Sequence, residues 1–146
     1  MSSIAIITAR GGSKRIPHKN IKPFLGKPII AYSIEAAIAS GCFEEVMVST
    51  DDEKIAEIAR EYGASVPFMR SAENADDFST TRDVVKEVLK QYAEIDREFD
   101  YACCIYPTAP FITAERVQDS MKLLEDRMQT VYCRWCSFPF RLKDVW

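Results

Sequence analysis

The sequence predicts an α/β fold of three layers, a mostly parallel sheet with helices on both faces. Three observations carry that expectation. Short apolar runs alternate with amphipathic helical stripes from the first residues onward. The runs are continuously apolar instead of alternating, as strands buried on both faces are. With 146 residues, 47% of them hydrophobic and 28% charged, the chain is sized for one domain with a real core.

The elements follow in order. Residues 4–8 form the first strand, and a glycine-bearing loop follows at residues 9–20. Ile30, Ile34, Ala37 and Ile38 fall on one helical stripe, with Pro28 suited to the first helical position and Gly41 to the stop. Residues 46–50 make the second strand. Ile55, Ile58, Ala59 and Tyr62 define a second helix, opened by a Thr50/Glu53 capping box and closed by Gly63. Val84, Val85, Val88, Leu89 and Tyr92 define a third. Residues 102–106 form the third strand, and Val117, Met121, Leu124 and Met128 a fourth helix after a cap at Thr113. Such alternation predicts right-handed crossovers, with ligands bound beyond the carboxyl ends of the strands. The loops after Thr8, Thr50 and Tyr106 are therefore expected on one edge. Residues 137–146 end on aromatic and basic side chains without a stop signal, so residues 1–146 are expected to be a single nucleotide-binding domain truncated at its C-terminus.

Charge is distributed unevenly. The net charge is −3, yet residues 1–34 hold Arg10, Lys14, Arg15, Lys19, Lys22 and Lys27 and no acid, leaving 13 basic against 22 acidic residues in the rest. One concentrated basic segment on an acidic protein suits a compact anion better than a nucleic acid, which favours a broad basic face. No apolar run approaches the roughly 18 to 20 residues of a membrane span, and Met1-Ser2-Ser3 lacks a basic flank or cleavage site. Cys42, Cys103, Cys104, Cys133 and Cys136 are an odd number, a poor disulfide framework that suits a reducing compartment. A cytoplasmic protein bound to neither membrane nor nucleic acid is expected.

The loop reads A-R-G-G-S-K-R-I-P-H-K-N, directly after the first strand. Gly11 and Gly12 allow backbone amides to approach an anion, while Arg10, Lys14 and Lys19 surround it with charge. A triphosphate cradle is the expectation. It is neither a dinucleotide fingerprint nor a P-loop, because G-x-G-x-x-G and Gly-Lys-Ser/Thr are both missing.

These residues resemble the opening motif of the acylneuraminate cytidylyltransferases, A-R-x-x-S-K-x-[IL]-P-x-K-N. The resemblance continues in G-K-P-I-I-A-Y-S-I-E-A-A from Gly26, V-S-T-D-D from Val48, Phe68-Met69-Arg70, and Y-P-T-A-P-F from Tyr106. It implies a nucleotide-diphospho-sugar transferase type of fold and transfer of CMP from CTP to an acidic nine-carbon sugar, with release of pyrophosphate. The pseudaminic acid branch is the most similar. By resemblance Arg10 touches the triphosphate near the reacting phosphorus, and Lys14 and Lys19 hold the departing pyrophosphate. Thr8, Ala9, Gly11, Gly12, Ser13 and Asn20 bind the nucleotide, and Arg70, Ser79 and Thr81 its base and ribose. Tyr106 and Thr108 belong to the sugar pocket. Many sialic-acid-activating members carry glutamine where this chain has Tyr106, which favours a relative of N-acetylneuraminate as substrate. The resemblance also implies a homodimer and magnesium, whose ligands are expected beyond Trp146, so no metal ligand is assigned.

Other features are given plainer readings. His18 is expected to be a solvated loop residue, not a base. Asp51 and Asp52 are explained by helix capping. Cys133-Arg134-Trp135-Cys136 is a lone C-x-x-C, read as incidental thiols. Two alternatives stay open: another sugar nucleotidyltransferase, acting on N-acetylneuraminate, 3-deoxy-manno-octulosonate or a hexose phosphate, and a catalytically incomplete CTP-binding module.

Overall fold

The computed structural model describes residues 2–126 and the backbone of residues 137–141. Strand β1 (Ser3–Thr8) leads through the glycine loop and a 3-10 turn (Lys19–Ile21) to a hairpin of β2 (Pro23–Phe24) and β3 (Lys27–Pro28). Then come α1 (Ile29–Ser40), β4 (Glu45–Ser49), α2 (Glu53–Glu61), α3 (Thr81–Ala93), β5 (Tyr101–Ile105), α4 (Ala114–Asp126) and β6 (Ser137–Arg141).

The main sheet has the order β4-β1-β5-β6. β1 pairs in parallel with β4 and β5, and β6 runs antiparallel along β5. The sheet is therefore mostly parallel, as expected, with one reversed strand. Because side chains alternate along a strand, β1 is split between two cores. Ala5 and Ile7 pack with Ile30, Ile34, Ile55, Ala59, Met121 and Leu124 of α1, α2 and α4. Ile4 and Ile6 pack with Val85, Val88 and Tyr92 of α3. Helices thus cover both faces, and this is why β1 reads as a continuous apolar run. Cys103 and Cys104 are buried, one in each core. Burial pushes the Cys104 thiol up to about 12. Cys133 and Cys136, with Met128, lie outside the described residues.

Several local expectations need correction. α2 is not opened by a Thr50/Glu53 box. Asp52 is the cap, its Oδ1 accepting from Lys54 N at 2.8 Å and Ile55 N at 3.4 Å. Thr50 Oγ1 instead accepts from Asp52 N at 3.1 Å, which sets the cap in place. Pro28 precedes the first helical residue instead of being it, while Gly41 ends α1 as expected. Ile38, placed on the buried stripe, is 45% exposed. Thr113 does cap α4, accepting from Arg116 N at 3.3 Å. The hairpin was not anticipated. Its turn is Leu25-Gly26, with φ 47° and 91°, and two consecutive positive φ values are what a tight two-residue hairpin turn requires.

Parallel pairing puts the carboxyl ends of β1, β4 and β5 on one edge, with Thr8 beside Ser49 and Ile7 beside Ile105. The chain leaves β1 for a neighbour on one side and later returns to its other side. The glycine loop therefore springs from the point where the strand order reverses, the usual ligand crevice of such sheets.

Candidate nucleotide site

Ala9, the first loop residue, is buried and donates its N–H to Ser49 O at 2.9 Å, so the loop leaves the sheet edge tied to β4. Gly11 N donates to Asp51 Oδ1 at 2.8 Å, and Ser13 N turns back onto Gly11 O at 2.9 Å. A Cβ on Gly11 would lie 2.7 Å from both Cβ and Oδ2 of Asp52, so only glycine lets this loop lie against the α2 cap. Gly12 has open space around it. The glycine pair thus divides its work: Gly11 allows a close approach within the protein, and Gly12 leaves the loop open outward.

The far end of the loop is fixed by Asn20. This side chain is 4% exposed, and its Nδ2 donates to Arg10 O at 2.9 Å. The resemblance implies that Asn20 contacts nucleotide; here its amide holds the loop closed on itself. Its Oδ1 is buried with no hydrogen-bond partner. Lys19 is exposed in the 3-10 turn, and His18 is exposed just before it in a left-handed conformation, φ 50°.

Arg10 and Lys14 converge on one carboxylate. Arg10 Nη1 is 2.6 Å from Asp77 Oδ1 and 3.0 Å from Asp76 O, and Lys14 Nζ pairs with Asp77 Oδ2. Asp77 is held below the usual carboxylate range by Lys14 and then Arg10. The segment that presents it is itself ordered by Asp76, whose Oδ1 accepts from Phe78 N at 3.0 Å and Ser79 N at 2.7 Å and lies 2.7 Å from Ser79 Oγ. Those bonds, the Ser79 hydroxyl foremost, also lower the Asp76 carboxyl. Thr81 opens α3 immediately beyond, behind a capping box of Thr80 and Asp83.

Arg70 lies along the end of β4. Its Nε donates to Ser49 Oγ at 3.1 Å and its Nη2 to Ser49 O at 2.7 Å, the same carbonyl that anchors Ala9. Burial pulls the guanidinium down, opposed by the charges of Asp51 and Glu87. The structure therefore brings together Thr8, Ala9, Arg10, Gly11, Ser13, Lys14, Arg70 and Ser79. Tyr106 and Thr108 sit beyond β5 on the same edge, with Tyr106 O accepting from Ser33 Oγ of α1 at 2.7 Å and Thr108 exposed.

Sequence reasoning missed three contributors. Asp77, which no local motif marks, and Asp51, expected only as a helix-capping residue, are acids from other loops that reach the glycine loop. An aromatic cluster is the third: Phe24 of the hairpin packs edge-on against Tyr32 and against Phe111 of the loop after β5, at 5.7 and 6.1 Å between ring centres. Leu25 and Phe111 stand 83% and 79% exposed, leaving apolar surface on the hairpin turn and on the loop that carries Thr108. A hollow of about 900 Å³ runs along α3, but neither Arg10, Lys14, Arg70 nor Tyr106 lines it. Its lining mixes charged side chains such as Lys86, Glu87 and Arg97 with apolar Leu89 and Phe99. Convergent cations, not volume, mark the site.

Among the described residues no group of three or more His, Cys, Asp or Glu is placed to hold a metal ion. Asp52 caps α2 and Asp51 accepts from Gly11 N, so both acids have hydrogen-bond partners within the protein.

Comparison with known proteins agrees with this geometry. Pseudaminic acid cytidylyltransferase of Campylobacter jejuni subsp. jejuni serotype O:2 is 48% identical over 115 residues, 79% of this chain and 50% of that protein. CMP-N,N'-diacetyllegionaminic acid synthase of Legionella pneumophila is 42% identical over 146 residues, 100% of this chain and 62% of that protein. Among solved structures, CMP:2-keto-3-deoxy-manno-octonic acid synthetase complexed with CTP superposes with a TM-score of 0.74 at 25% identity, covering 90% of this chain and 50% of that one. The chain spans about half the length of the Campylobacter protein. A family model described as cytidylyltransferase matches residues 4–139, and with the glycine loop, the paired cations and the parallel edge all in that span, the chain belongs to the cytidylyltransferase family.

Proposed function

We propose that the protein transfers CMP from CTP to an acidic nine-carbon sugar of the pseudaminic acid type, releasing pyrophosphate. The observation that carries this reading is the convergence of Arg10 and Lys14 on one anion at the crevice of a parallel sheet. In the reaction a sugar oxygen bonds to the α-phosphorus while the bond to the pyrophosphate oxygen breaks. Such transfers depend on positioning and charge stabilisation, and one well-placed donor is worth about 10²- to 10³-fold in rate. Arg10, Lys14 and the amides at Gly11, Gly12 and Ser13 would supply those donors, with Lys19 as a further cation from the 3-10 turn. Arg70 and the segment around Ser79 and Thr81 would face the nucleoside, and Tyr106 and Thr108 the sugar.

The choice of sugar rests on two supports: the 48% identity to a pseudaminic acid cytidylyltransferase, and Tyr106 where glutamine is frequent. Pyrophosphate release with CTP and a panel of pseudaminic, legionaminic and N-acetylneuraminic acids tests it. Turnover should be fastest with pseudaminic acid, and a clear preference for N-acetylneuraminic acid would overturn the choice.

The chain spans 50% of that relative's length, and a second reading is that residues 1–146 by themselves bind CTP without completing transfer. Calorimetry with CTP alongside the same pyrophosphate assay separates the two. Magnesium belongs to this proposal through the resemblance, with its ligands expected beyond Trp146. Homodimerisation, which rests on the resemblance, and a cytoplasmic location, which rests on the cysteine usage, belong to this proposal; no helix among the described residues is long and apolar enough to cross a membrane.

A further inference from the structure

We propose that Asp77 is a specificity-determining residue of the triphosphate site, an internal counter-ion shared by Arg10 and Lys14 that a polyphosphate must displace. The inference rests on the reading of residues 9–20 as that site. The two oxygens of Asp77 bridge the two cations as a phosphate would, Oδ1 to Arg10 Nη1 at 2.6 Å and Oδ2 to Lys14 Nζ. The bridge spans 63 residues of sequence, so it is a tertiary feature and not a local ion pair.

Asp77 is delivered by an ordered segment. Asp76, its neighbour, gathers Phe78 N, Ser79 N and Ser79 Oγ on one oxygen, and Asp76 O adds a second contact to Arg10 Nη1. Asp51 meanwhile holds Gly11 N at 2.8 Å. Both kinds of donor that would grip an anion, a loop amide and the paired cations, already carry a carboxylate of this chain. For both cations to engage a ligand, the Asp77 carboxylate has to leave them.

Displacement favours ligands of high charge. The Lys14 side chain is 81% exposed and the Asp77 side chain 31%, and exposed ion pairs are individually weak, so the exchange is reversible. A polyphosphate brings several charges that span both cations and outcompetes one carboxylate. An uncharged nucleoside gains nothing from the exchange. Asp77 therefore sets the least charge that a ligand must carry to occupy the loop.

The test is Asp77→Asn, with Asp77→Ser as a second variant and Asp119→Asn on α4 as a remote loss of one negative charge. Affinities for CTP, inorganic tripolyphosphate and cytidine are measured by calorimetry at two ionic strengths. Both Asp77 variants should bind CTP and tripolyphosphate about 3- to 10-fold more tightly, with cytidine unchanged and the gain shrinking as salt rises. Asp119→Asn should match the wild type. Unchanged or weaker tripolyphosphate binding by both Asp77 variants overturns the proposal, as does an equal gain in Asp119→Asn. In those outcomes CTP binding by the wild type leaves the loop's function standing; no binding of CTP or tripolyphosphate by any form overturns the reading of the loop and the inference with it.

Discussion

Arg10 is held from both ends: Asn20 Nδ2 donates to its carbonyl at 2.9 Å, and Asp77 receives its guanidinium at 2.6 Å. The first contact is part-buried, and its removal leaves a main-chain acceptor without its partner. Asn20→Ala should lower unfolding free energy by about 1 to 3 kcal/mol, measured by urea titration, and should weaken CTP binding because Arg10 is no longer anchored. A variant as stable as the wild type would show that the amide is dispensable to the loop. At this scale the loop's family was legible from residue order: Arg10, Ser13, Lys14, Pro17, Lys19 and Asn20 follow a recognisable pattern. Its partners were not. Asp77 and Asp51 lie 67 and 40 residues from the groups they bind, and nothing in a linear sequence pairs acids with cations over such distances. Gly11 is expected from the sequence to let an anion approach the backbone; what lies against it in the structure is Asp52 of the α2 cap.

At the scale of elements, helix stripes and Gly41 were legible because burial and left-handed termination leave periodic and compositional marks. Caps were less so. Thr50 and Glu53 satisfied a spacing rule, yet Asp52 lies between them and its shorter reach to the first amides wins. At α3 the reverse happened: Thr80 and Asp83 form a capping box that a search for glutamate or glutamine at its third position passes over. The box makes a pH prediction. Thr80, through its hydroxyl and then its amide, holds Asp83 below the usual carboxylate range. A depressed folded-state value means stabilisation that is complete above the ordinary aspartate range near 4 and is lost as pH falls through the lowered value. The melting temperature of Asp83→Asn should therefore lie below that of the wild type at pH 7, and the two should approach each other as pH falls through the lowered value. A constant difference across that range would show that the carboxylate charge does not matter to the cap. The β2–β3 hairpin was invisible because Leu25-Gly26 joins strands of two residues each, too short for a periodic signal.

For the molecule as a whole, the layered α/β design was legible because it follows from alternation and from β1 being apolar on both faces. The reversed β6 was not, since antiparallel addition at an edge is decided by tertiary pairing. The same holds for the site: the fold predicts an edge, and only the structure shows that loops from β1, β4 and the segment before α3 meet there. Shared ancestry with sugar cytidylyltransferases agrees with that edge being a nucleotide crevice. The account stands or falls on whether the glycine loop binds the triphosphate through Arg10. Calorimetric titration of wild type and Arg10→Ala with CTP measures this directly. Saturable binding that Arg10→Ala weakens about 10- to 100-fold is the predicted result; equal affinity in the two, or no binding by the wild type, would contradict it.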